Sequence, residues 1–128
     1  MNVISLKTNN TIKSVHVFTQ RGNELEMSDI KKMIPNRIDV LYPGRISRLA
    51  YIYVMFAEKD AVSRPVNKVA SALLDNERSV RGDVVIARTN HLGHNAKIFA
   101  LEDNEIPDIV DRISKLFGSK VELVVERR

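Results

Sequence analysis

The chain has 128 residues, 44% of them apolar and 28% charged, with a formal net charge of +4 and a sequence pI near 9.5. This length and composition are typical of one globular domain, expected to cover residues 1–128, and the absence of cysteine excludes disulfides, thiolate metal sites and cysteine nucleophiles. The longest apolar run, residues 49–57, is too short to span a bilayer and no signal-peptide pattern opens the chain, so we expect a soluble, cytoplasmic protein without a membrane partner.

The first part of the sequence predicts a β-hairpin followed by a short helix. Alternating apolar residues favour strands at residues 3–6 and 12–18, and the polar cluster at residues 8–10 favours a turn between them. Ser28 is the predicted N-cap of the helix. Pro35 is expected to end it, because proline pushes the preceding residue out of the helical region.

The middle of the chain predicts two strands and a second helix. Residues 38–41 alternate in polarity and precede Pro43, which favours a strand that stops there. Residues 49–57 are apolar without alternation, which is typical of a central strand with both faces covered. The second helix is predicted to open at residues 63–65 and to end near residues 75–76.

The last part of the chain predicts a second hairpin, a long helix and a final strand. The hairpin strands are expected at residues 84–86 and around residues 98–101. Apolar residues at helical spacing predict a helix over residues 105–117, capped by Asn104, and residues 121–125 form the final strand. These elements predict an α+β fold, with two to three helices packed on a mostly antiparallel sheet.

Positive charge is concentrated in the middle of the chain, where residues 31–101 carry twelve Lys and Arg against six Asp and Glu. Arginine suits phosphate and carboxylate groups, so this segment predicts an anion-binding face that includes Arg45, Arg64, Lys68 and Arg81. The alternative is that these side chains are dispersed and face water. Nucleic acid is a weaker expectation, because the chain has no run of aromatic residues for base stacking.

A catalytic or metal site is not evident in the sequence. His91 and His94 have a spacing that could hold a metal, but no third ligand is close in sequence, and the glycine and asparagines around them favour a solvated turn. We therefore predict no cofactor, no metal and no enzymatic activity. A metal-assisted hydrolase built on the two histidines is the least favoured hypothesis.

One stretch has a recognisable pattern. Pro65 and Asn67 open a helix, and about fifteen residues later Gly82 and Asp83 begin a strand. This pattern, which covers about 25 residues, resembles a family of small uncharacterised domains of bacteriophages and large DNA viruses. The resemblance implies a viral or phage origin, hence a host-cell cytoplasm or virion location, and no established activity.

Asn67 and Asp83 have two interpretations that the sequence leaves open. The amide of Asn67 and the carboxylate of Asp83 could bind a ligand, with Gly82 allowing a close backbone approach. Alternatively, both side chains fix the connection between helix and strand.

The favoured functional hypothesis is a non-enzymatic binding module of viral or phage type, which docks a protein partner or an anionic small molecule. A nucleic-acid-associated or virion structural protein, using the same basic residues on phosphates, is the alternative. Self-association into a homo-oligomer is compatible with either.

Overall fold

The computed structural model describes residues 2–17, 22–47, 52–74, 78–90, 96–117 and 122–125, without the side chains of the last range. Eight strands lie within these ranges: β1 (Asn2–Leu6), β2 (Thr11–His16), β3 (Glu24–Leu25), β4 (Ile38–Leu41), β5 (Ile52–Glu58), β6 (Val84–Thr89), β7 (Ile98–Phe99) and β8 (Glu122–Val125). The same ranges hold three helices: α1 (Met27–Lys31), α2 (Lys68–Ala72) and α3 (Glu105–Phe117).

The strands form one sheet in which β6 is the central element. β5 pairs along one side of β6, while β1 and then β7 pair along the other side. β4 continues the sheet beyond β5, β2 and β8 continue it beyond β1, and β3 pairs with β7. Every pairing between described strands is antiparallel except that of β2 with β8. The predicted α+β fold with a mostly antiparallel sheet and helices is therefore confirmed.

Both faces of the sheet are covered, which explains why β5 shows no alternation of polarity. Met55 and Ala57 point to a core that also contains residues of α2 and α3. Val54 and Phe56 point to a second core on the opposite face, to which α1 contributes Ile30. Because successive side chains of a strand point to opposite faces, a central strand between two cores must be apolar throughout.

The predicted start of the first helix is wrong. α1 begins at Met27 with Glu26 as its N-cap, because the Asp29 carboxylate accepts a hydrogen bond from the Glu26 backbone N–H at 2.9 Å. The helix also ends earlier than predicted, at Lys31, and residues 32–35 continue it only as turns.

The predicted start of the second helix, at residues 63–65, is also wrong. Val66 forms an isolated antiparallel bridge with Arg81, and the Gly82 N–H donates to the Pro65 carbonyl at 2.9 Å. These contacts hold the chain extended up to Asn67, which is the N-cap, so α2 begins only at Lys68. Strand-like pairing with a distant segment overrides the local helical pattern.

α3 begins directly after Asn104, as predicted, and buries Ile106, Ile109 and Ile113 against the sheet. Its first residue, Glu105, is also buried. The Glu105 carboxylate accepts hydrogen bonds from the Glu102 backbone N–H at 2.7 Å and from the Arg88 guanidinium of β6 at 3.4 Å. Glu105 therefore fastens the start of α3 to the central strand.

We predict that Glu105→Ala lowers the free energy of unfolding by about 2 kcal/mol, because it leaves the Glu102 N–H and the Arg88 guanidinium without their acceptor. The measurement is urea denaturation followed by far-UV circular dichroism. Asp111→Ala is the control: it removes an exposed i,i+4 ion pair with Lys115 and should cost no more than about 0.5 kcal/mol. Equal losses in both variants would contradict the role of Glu105.

Candidate functional site

Four of the six predicted site residues meet around one turn at Gly82. Arg64, Asn67, Arg81 and Asp83 come from two segments that are about fifteen residues apart in sequence and are joined by the Val66–Arg81 bridge. Gly82 has a φ of 78°, a left-handed conformation that residues with a Cβ adopt at a cost. The turn brings the basic and acidic side chains of the two segments to the surface together.

The side chain of Asn67 is completely buried at this turn, and its amide is fully used by the protein. Its Oδ1 accepts from the Ala70 N–H at 3.0 Å, which caps α2. Its Nδ2 donates to the carbonyls of Leu6 and Gly82, each at 2.9 Å. Asn67 therefore supports the Gly82 turn from inside the protein, and its side chain offers no group to a ligand.

Asp83 joins the turn to the end of β1. One of its carboxylate oxygens accepts from the Thr8 N–H at 3.0 Å, and the other lies 3.3 Å from the Lys7 ammonium. Half of the Asp83 side chain remains exposed. Its charge is thus matched within the protein, and its geometry is that of a loop anchor.

Arg64 and Arg81 are the two cations that the turn brings into contact. The Arg64 guanidinium pairs with the Glu58 carboxylate at 3.1 Å, at the end of β5. The Arg81 guanidinium donates to the backbone carbonyl of Arg64 at 3.0 Å. Arg81 is therefore held in place by a neutral acceptor, and no carboxylate of the described residues pairs with it.

Two surface cavities flank this pair of arginines. The first, which we call the proline cleft, has a volume of about 250 Å³ and lies between residues 33–36, residues 64–65 and residues 82–83. The charged groups lining it are Arg64, Glu58 and Asp83, of which the first two pair with each other and the third with Lys7. The proline cleft therefore presents no unmatched cation to an anionic ligand.

The second cavity, which we call the edge hollow, has a volume of about 310 Å³. It is lined by β4, the carboxyl-terminal end of β5, the loop at residues 59–62 and the segment 78–81. Three carboxylates line it, and each has an arginine partner: Asp39 pairs with Arg78, Glu58 with Arg64 at 3.1 Å, and Asp60 with Arg37 at 3.8 Å.

Two further cations line the edge hollow, Lys59 and Arg81. Both side chains are exposed, and neither has a carboxylate partner within the part of the chain that the structure describes. Around a hollow whose acidic groups are all matched, these two cations leave a surplus of positive charge. The edge hollow is therefore suited to an anionic group.

Sequence reasoning included Arg81 but missed Lys59, and it missed Arg37 as the partner of Asp60. The position of Lys59 directly after the buried strand was the available signal, because charged residues at strand ends lie at the surface. Asp60, which follows, has a φ of 61° and turns the chain back over the hollow. The pairings of Arg78 and Arg37 join residues more than twenty positions apart and left no pattern in the sequence.

The remaining two predicted site residues lie outside both cavities. The Arg45 guanidinium donates to the Ala72 carbonyl at 3.4 Å, at the far end of α2 from Arg64. Lys68 is exposed in the first turn of α2 and lines neither cavity. The predicted basic residues thus gather only in part, around Arg64 and Arg81.

The histidine pair considered as a metal site, His91 and His94, lies outside the described residues. Within the ranges that the structure covers, no three His, Cys, Asp or Glu side chains are grouped so that they could hold a metal ion. Nor does any helix in these ranges have the length and apolar character needed to cross a membrane.

Comparison of the chain with family models, curated proteins and solved structures gives no match.

We predict that Asn67→Ala destabilises the fold by about 3 kcal/mol, because it leaves two buried carbonyls and the Ala70 N–H without partners. Urea denaturation measures this loss. The exposed Asn104→Ala is the matched control and should cost less than about 1 kcal/mol.

Asn67→Asp separates the two functions of the amide, since it keeps the acceptor for Ala70 and removes both donated bonds. It should be at least as destabilising as Asn67→Ala, because it places a carboxylate against two carbonyl oxygens. A fully stable Asn67→Asp variant would show that the bonds to Leu6 and Gly82 contribute nothing.

Proposed function

We propose that the protein is a non-enzymatic binding module, which takes an anionic group of a protein partner or of a small molecule in the edge hollow. The observation that carries the proposal is the surplus charge of Lys59 and Arg81 beside three carboxylates that are already paired.

The fixed position of Arg81 favours anion recognition. A guanidinium has five N–H donors in a rigid plane, and one donor of Arg81 is used by the Arg64 carbonyl. The other donors are oriented before a ligand arrives, so less side-chain entropy is lost on binding. Phosphate and carboxylate oxygens are the acceptors that this geometry suits best.

The ion pairing of the carboxylates in the edge hollow favours a binding function over a catalytic one. General acid–base chemistry needs a carboxylate that can reach a substrate proton. Asp39 and Glu58 are each hydrogen-bonded to an arginine, and Glu58 also accepts from the Asn36 amide. Asp60 lies 3.8 Å from the Arg37 guanidinium. Their role in the hollow is to orient the arginines.

The proposal predicts that Lys59→Ala/Arg81→Ala weakens the binding of inorganic phosphate and citrate at least tenfold. A tenfold loss corresponds to about 1.4 kcal/mol, well within the contribution of two charge-assisted hydrogen bonds. Backbone amide shifts in an NMR titration of the labelled protein measure the affinity, and in the unmodified protein they should move at residues 57–62 and 78–81.

Lys97→Ala/Lys115→Ala is the matched control for this titration. It removes the same number of charges from exposed side chains that do not line the hollow, and it should change the affinity by less than twofold. Equal weakening in both double variants would show a general charge effect and contradict a site at the edge hollow.

The small number of unmatched cations at the edge hollow favours the binding module over the alternative of a nucleic-acid-associated protein. Two unmatched cations neutralise about two phosphates, whereas a protein that makes about six to ten phosphate contacts loses at least a thousandfold in affinity between 50 and 200 mM salt. We expect no DNA retention in a gel shift at physiological salt. Retention with a steep salt slope would favour the alternative.

A further inference from the structure

Beside the edge hollow lies an open edge of the sheet, formed by β4. The Lys59 N–H donates to the Arg37 carbonyl at 2.7 Å, so residue 37 faces β5 and pairs with residue 59 in the β4–β5 register. In an antiparallel pair, alternate residues direct both backbone groups toward the partner strand. The N–H and C=O groups of Ile38 and Val40 therefore point away from β5.

These outward groups have no strand to pair with in the described part of the chain, since β4 pairs with β5 alone there. An exposed strand edge of this kind is a template for the addition of another strand. The charges around β4 then decide which strand can approach it.

The side chains on the two faces of β4 differ in character. Asp39 and Leu41 face the edge hollow, where Lys59 and Arg81 lie. Val40 points to the opposite face, and 42% of it is exposed. A strand added beside β4 would therefore place alternate side chains above the hollow and beside Val40.

We propose that the partner is an extended acidic peptide segment of another protein, which adds a strand to β4 and places an acidic side chain in the edge hollow. This inference rests on the proposed function, because it names the molecule that carries the anionic group. Its recognition pattern is an alternation of acidic and apolar residues, with the acidic ones on the side of Lys59 and Arg81.

A second copy of this chain is a poorer occupant of the same edge. Two β4 edges in contact would bring two sets of surplus cations together, and these would repel each other. An acidic strand instead meets Lys59 and Arg81 with opposite charge. Charge complementarity thus favours a partner over self-association.

The test uses an acetylated and amidated octapeptide of alternating valine and glutamate, titrated into the full chain by isothermal calorimetry. Val40→Pro removes the outward N–H of β4 and no bond to β5, because proline is tolerated at an edge position whose N–H faces solvent. We expect at least a tenfold loss of peptide affinity. Val40→Ala keeps the N–H and should lose less than threefold.

A second measurement keeps the inference testable if Val40→Pro does not fold. The same octapeptide with alternate backbone nitrogens methylated cannot pair as a strand, and we expect its affinity for the unmodified protein to fall at least tenfold. Replacing glutamate by glutamine in the octapeptide should cost at least tenfold in the unmodified protein and little in Lys59→Ala/Arg81→Ala.

The outcomes separate this inference from the proposed function. If phosphate and citrate bind at the edge hollow but the octapeptide does not bind, or binds equally well to Val40→Pro and in its methylated form, strand addition is wrong and the anion site stands. If neither the anions nor the octapeptide bind, both proposals fail. Losses in Val40→Pro and with the methylated peptide support the inference.

Discussion

The buried amide of Asn67 is the interaction on which the arrangement of the surface depends. It joins the end of β1, the Gly82 turn and the first turn of α2 through three hydrogen bonds that no water can replace at a fully buried position. The contact fixes the segment 78–81 beside β4 and β5. Without it, Arg81 would lose the framework that directs its guanidinium into the edge hollow.

Ion pairing within the protein then determines which charged groups at the two cavities can attract a ligand. In the proline cleft and in the edge hollow, each lining carboxylate lies within ion-pair distance of a cation of the same protein. At the edge hollow, two lining cations, Lys59 and Arg81, have no carboxylate partner among the described residues. A small surplus in a shaped site favours the recognition of one anionic group over the neutralisation of a long polyanion.

The edge hollow, with its two unmatched cations, lies beside β4, a strand at the edge of the sheet. A strand in the middle of the sheet has neighbours on both sides, as β5 does, and offers only side chains to a ligand. β4 offers backbone donors and acceptors as well, next to the unmatched cations. In the proposed strand addition, backbone pairing would supply affinity and the charges would supply selectivity.

Local patterns in the sequence determined the first hairpin, the central strand at residues 52–58 and α3, because each depends on the periodicity of neighbouring residues. Long-range contacts decided other features of the fold. The bridge between Val66 and Arg81 keeps the chain extended, so α2 begins only after Asn67, and β8 lies parallel to β2. The edge hollow belongs to this second group. Lys59 and Arg81 are far apart in sequence, and only the tertiary structure shows that both line the same hollow.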